Sequence, residues 1–216
     1  MQTGGVVRRQ KDDEHYYGQH ESASSVAGLG ERLSRNESEA VEEALLFLER
    51  DPFVFRSGYA RERIARRLAG VTLTPTQAVR ARDVVLSTVD GRRHCPHPGV
   101  GRLARAVADN ALRRELRTRL HHPDQAVARR ALRTVVNVRH PGLKPEDLAA
   151  ARALVLVDAA RGHWLSPSVA RLATYLWSSE WEAELRALLP RHGADRAAAK
   201  RLIEAADRRM SRRPGP

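Results

Sequence analysis

The stretch from Asn110 to Val138, NALRRELRTRLHHPDQAVARRALRTVVNV, limits the possible folds more than any other part of the chain. It reads as two helices joined at a tight break. The second opens on Pro123-Asp124, and Val127, Ala131 and Val135 then recur every four residues along one face. A hairpin of this length cannot bury its apolar face alone. It must stack on neighbouring helices, and small residues one turn apart let those neighbours come close.

The flanking sequence supplies such neighbours. Ser34 or Asn36, with a glutamate three residues later, starts a helix that runs to Arg50. Val41, Ala44, Leu45 and Leu48 share its apolar side, and Glu37, Glu39, Glu42, Glu43 and Glu49 cover the rest. Phe53-Val54-Phe55 is read as a hydrophobic plug. A second helix spans Tyr59–Ala69, burying Ala60, Ile64 and Leu68. Thr74, Pro75 and Gln77 combine an N-cap, a first-turn proline and a capping-box partner, which predicts a third helix to Val89. A short helix follows over Val100–Ala108, then the hairpin. Beyond the turn His140-Pro141-Gly142, helices are predicted from Pro145 to Arg161, Ser168 to Trp177, Ser179 to Leu189 and Asp195 to Met210. The first of these, Pro145 to Arg161, carries LAAARALVLVDAA, which is apolar on nearly all sides, and it is expected to be the most buried helix.

With aromatics at only 5%, the core must be built from Ala, Leu and Val, which suits helices better than strands. The expected fold is therefore all-α: about ten helices in a helical repeat or bundle over residues 34–211. A disordered polar tail covers 1–33 and a frayed basic end 212–216. The N-terminus is polar, without an apolar signal segment, and the longest apolar run, Ala153–Val157, is too short to span a bilayer. The expectation is a cytoplasmic protein with no membrane partner.

A five-residue pattern recurs: Ile64-Ala65-Arg66-Arg67-Leu68, Val100-Gly101-Arg102-Leu103-Ala104, Val127-Ala128-Arg129-Arg130-Ala131 and Val169-Ala170-Arg171-Leu172-Ala173. The spacing approaches that of helix-pair repeats. Pro123-Asp124, Val127, Ala131 and Val135, with Pro167, Val169, Ala173 and Trp177, resemble the HEAT-repeat class of α-solenoids. That class commonly places an Arg directly after the valine to build an Asp/Arg ladder between repeats; here Ala128 and Ala170 stand there.

Charge is the strongest functional signal. The chain carries 38 Lys+Arg against 26 Asp+Glu, net +12, and its only lysines are Lys11, Lys144 and Lys200. Residues 1–50 are net acidic, so the excess lies beyond them. Such a field favours acidic partners. Arg113, Arg117, Arg129, Arg130 and Arg133 of the hairpin, joined by Arg63, Arg66 and Arg67, are the candidate phosphate contacts, because each guanidinium offers two parallel donors. The function expected is a non-enzymatic helical-repeat module holding a nucleic-acid backbone, DNA or RNA, without strong sequence specificity. One alternative is a protein-interaction scaffold that takes an acidic protein. The other is enzymatic: Leu176-Trp177-Ser178-Ser179-Glu180-Trp181-Glu182 resembles a stretch of HEAT-like alkylpurine DNA glycosylases.

Three further features have plainer readings. His94-Cys95-Pro96-His97 lacks a CxxC or HxxxH partner, and Cys95 is the sole cysteine, so no metal, disulfide or cofactor is expected. Trp164, Trp177 and Trp181 read as core. The acidic first helix reads as a solvated surface, or else as a segment that masks the basic face.

Overall fold

The structure is a computed structural model that describes residues 23–50, 57–91, 98–138, 143–160, 173, 175–190 and 193–210. It is all-α: ten helices, and no strand among the described residues. They are α1 Ala23–Ser34, α2 Ser38–Arg50, α3 Ser57–Leu68, α4 Pro75–Asp90, α5 Pro98–Ala106, α6 Asn110–Leu120, α7 Gln125–Asn137, α8 Pro145–Ala160, α9 Ser179–Leu188 and α10 Ala194–Met210. No helix among the described residues is long and apolar enough to cross a membrane. The Phe53-Val54-Phe55 plug, the loop His94–His97, the turn at 140–142 and Trp164 lie outside the described residues. So does most of the predicted helix after Ser168, of which Ala173, Tyr175 and Leu176 are helical.

Short-range chemistry sets the helix ends. At α4 the amide of Thr74 donates to Gln77 Oε1 at 3.0 Å, and the amide of Gln77 to Thr74 Oγ1 at 3.3 Å, the reciprocal box that the spacing predicts. Asp109 caps α6 by accepting from the Leu112 amide, and Asp124 caps α7 by accepting from the Ala126 amide. Ala23–Ser34, within the stretch expected to be a polar tail, is helix. Gly28 and Gly30 dilute its pattern, yet Leu29 and Leu33, four apart, are both buried. Asn36, at φ 57°, ends this helix in the left-handed conformation that Asn tolerates. The amides of Asn36 and Glu37 then satisfy the carbonyls of Leu33 and Arg32.

The chain divides into two compact units, residues 1–88 with 94–108, and 89–93 with 109–216. In the first, α3 packs on α1, α2 and, most extensively, α5. That last contact depends on Gly99. A Cβ there would sit 2.2 Å from the Glu62 carbonyl oxygen, so only glycine lets the two backbones approach this closely. In the second unit α6 packs on α7 and α8, and α10 on α8 and α9. Leu112, Leu116 and Leu120 of α6 are buried, as are Val127, Ala131 and Val135 of the α7 helix packed against it. Helix α8 is less enclosed than its sequence implies, since Ala149 and Ala153 are exposed.

Helices α2, α4, α6, α8 and α9 begin 34 to 37 residues apart. Arginines tie successive members of this series inside each unit. In the first, Arg80 of α4 holds Glu49 of α2 through Nε and Nη2 at 2.6 and 2.8 Å, and also meets Glu42. In the second, Arg119 of α6 forms a bidentate pair with Asp90 at 2.7 and 2.8 Å. Arg117 of α6 meets Asp147 of α8 at 2.8 Å. Arg152 of α8 donates to Ser178 Oγ at 2.8 Å, at the cap of α9, and lies 5.6 Å over the ring of Trp181. Arg129 of α7 pairs with Asp158 of α8. Three of these ties are Arg–Asp pairs, Arg119–Asp90, Arg117–Asp147 and Arg129–Asp158, and none of them uses position 128.

Candidate functional site

The eight arginines singled out by sequence fall into the two units, and their environments differ. In the second unit Arg117 and Arg129 face the buried carboxylates Asp147 and Asp158. Arg130 donates from Nε to the Val89 carbonyl at 2.6 Å and from Nη2 to that of Asp90 at 3.4 Å. It thus satisfies the end of α4, where cations are favoured. Arg133 is half-buried and engaged within the chain. Arg113 is half-buried, and its Nε is buried without a hydrogen-bond partner among the described residues. Most of this set answers charge or backbone demand inside the fold.

Asp147 is the tightest of these nodes. Its side chain is 4% exposed and accepts from Arg117 Nε at 2.8 Å, from His121 Nε2 at 2.9 Å and from the Lys144 amide at 3.3 Å. Burial works to raise its pKa, but the bonds from His121 and Arg117, with that from Lys144, outweigh burial and hold the carboxyl below its ordinary value.

The first unit is arranged differently. A cavity of about 790 Å³ is lined by Arg63, Arg66, Arg67 and Arg102 together with Tyr59, Glu62, Ser34 and Asn36. Helix α3 supplies three arginines from consecutive turns of one side. Helix α5 supplies Arg102, brought alongside by the close crossing at Gly99. All four arginines are exposed. Glu62 is the only carboxylate among the described residues of the lining, and it pairs with Arg66 four residues on. Arg67 donates to the neutral Ser34 hydroxyl at 3.1 Å. Arg63 and Arg102 have neither a hydrogen bond nor an ion pair among the described residues. Three guanidinium charges in one concavity are thus left without a counter-charge there.

The acidic helix α2 does not cover this cavity. Glu37 meets Arg32 and Arg35, Glu43 meets Arg32, and Glu42 meets Arg80 and Gln77. Arg35 and Arg32 hold Glu37 below its usual pKa, and Gln77 and Arg80 do the same for Glu42. The expected masking therefore falls on Arg32 and Arg80, beside α2 itself.

Of the cavity residues, Arg63, Arg66 and Arg67 are among the arginines that stand out in the sequence, whereas Arg102 and Tyr59 are not. The signal for Arg102 was present: it occupies the same place in Val100-Gly101-Arg102-Leu103-Ala104 as Arg66 does in Ile64-Ala65-Arg66-Arg67-Leu68. Tyr59 carried no signal, because nothing in the pattern separates an exposed tyrosine from a packed one. At the other end of the chain, Trp181 is buried against Trp177 with ring centroids 5.7 Å apart, and Glu182 pairs with Arg186. No protein-family model, curated protein or solved structure matches the chain.

Proposed function

We propose that the chain is a helical-repeat module of the HEAT class that holds a nucleic-acid backbone, and that the cavity between α3 and α5 is where phosphates bind. The repeat reading is supported by the five helices that begin 34 to 37 residues apart and by the arginine ties between successive members. The single observation that carries the binding reading is the gathering of Arg63, Arg66, Arg67 and Arg102 on one concavity, with Glu62 the sole carboxylate among its described lining residues. Guanidinium groups without internal partners are available to make charge-assisted bonds to phosphate oxygens. Contacts of this kind carry no base readout, so binding is insensitive to sequence.

Fluorescence anisotropy with a labelled DNA duplex, over a series of salt concentrations, tests this. Three released counterions give a log–log salt slope of about −2.7 from this cavity alone. Substituting Gln for Arg63, Arg67 and Arg102 together flattens the slope by about that amount. Undiminished affinity and an unchanged slope in that variant would overturn the assignment. A protein recovered in place of nucleic acid, and held through the same arginines, would favour an acidic-protein scaffold.

A further inference from the structure

We infer that the arginine cavity takes an unpaired nucleotide, its base stacked on Tyr59 and its phosphate held by Arg63, Arg67 and Arg102. This rests on the phosphate-binding reading above and adds a preference for single strands. Tyr59 lines the same cavity as the four arginines and is 79% exposed, the most exposed large hydrophobic side chain described. Leaving an aromatic ring in water loses the stabilisation that burial would give it, and this ring stands one turn from Arg63, on the same helix. A phenol ring beside a guanidinium cluster offers the two chemistries a nucleotide presents. The ring has a face for the base, and the cations meet the phosphate. Base–aromatic stacking is tolerant of sequence because every base has a π-face. The cavity, about 790 Å³, lies within the range of sites that enclose small ligands. In an intact duplex the bases are stacked on one another and present no face to Tyr59. Only an unpaired residue, in a single strand or at an end or gap, can use both halves of the site.

The test uses the full chain and three labelled probes: a single-stranded DNA 12-mer, the same strand with several abasic positions, and the fully paired duplex. Tyr59→Ala is expected to weaken single-strand binding about tenfold, the size of one lost base–aromatic stack, and to leave duplex binding unchanged. Tyr59→Phe retains the wild-type preference, because the ring and not the hydroxyl makes the contact. The abasic strand binds wild type and Tyr59→Ala equally. Tyr59 is exposed, so these substitutions leave the fold intact, and far-UV circular dichroism checks this. If Tyr59→Ala binds the single strand as wild type does, or weakens single strand and duplex alike, the stacking inference is overturned. If the Arg63→Gln, Arg67→Gln, Arg102→Gln variant also binds every probe as wild type does, the phosphate-binding reading falls with it. Loss of affinity in the arginine variant but not in Tyr59→Ala sinks the stacking inference alone.

Discussion

Asp147→Asn should destabilise the second unit by about 2–3 kcal/mol. The carboxylate is 4% exposed and takes three donors: Arg117, His121 and the Lys144 amide. Asn keeps the shape and one acceptor oxygen but turns an amide NH₂ toward a donor, so at least one charge-assisted bond is lost at about 1.5–3 kcal/mol. It also leaves Arg117 without its counter-charge. Breaking a fully buried pair costs about 3–5 kcal/mol, but the Arg117 side chain is 29% exposed and recovers some hydration. Trp177 and Trp181 lie in the second unit, so the urea transition of tryptophan fluorescence reports on it. With an m-value of about 1–3 kcal/mol per molar, the midpoint falls by roughly 1–2 M. The pH dependence gives a second check. The folded-state pKa of Asp147 is depressed, so its contribution is fully present above the unfolded carboxyl value of about 3.9 and is lost as pH falls through the lower folded value. The gap between wild type and Asp147→Asn is therefore constant near neutrality and closes only below about pH 4. An unchanged midpoint at neutral pH, or a gap that persists undiminished in strong acid, would refute this account of Asp147.

Three further substitutions probe other parts of the structure. Gly99→Ala drives a methyl into the Glu62 carbonyl, so hydrogen exchange in α3 and α5 should accelerate, with a loss of about 1–3 kcal/mol in the first unit and no change in the tryptophan transition. Ser178→Ala removes the acceptor for both the Trp181 amide and Arg152 and should lower the tryptophan midpoint by the equivalent of about 1–2 kcal/mol. Arg80→Ala breaks pairs with Glu42 and Glu49 that are open to solvent, so its cost should be under about 1 kcal/mol and shrink in high salt.

The parts of this fold that were legible in sequence are those settled within a few residues. Thr74 and Gln77 satisfy each other across one turn, Asp124 caps its own helix, and Val127, Ala131 and Val135 mark a face by spacing alone. Helix α1 was hidden because Gly28, Gly30 and several serines weaken its propensity, while burial of Leu29 and Leu33 stabilises it from outside the segment. The division of labour among arginines was not legible, because Arg117, Arg129 and Arg63 look alike in sequence. Partners for the first two stand 30 and 29 residues away, and only the packing of α6 and α7 on α8 brings them together. One clue was available: Asp147 and Asp158 sit in a largely apolar helix, and buried carboxylates require partners.

Arg63, Arg67 and Arg102 of the cavity are proposed to bind a partner, whereas Arg119, Arg117 and Arg129 are tied to Asp90, Asp147 and Asp158 inside the fold. Arginine modification by phenylglyoxal, mapped by mass spectrometry with and without a single-stranded oligonucleotide, tests it most directly. Arg63, Arg67 and Arg102 should react readily in the protein alone and be protected by the oligonucleotide. Arg117, Arg119 and Arg129 should react slowly in both conditions. Protection confined to the helices of the second unit, with the cavity arginines equally reactive in both conditions, would contradict it.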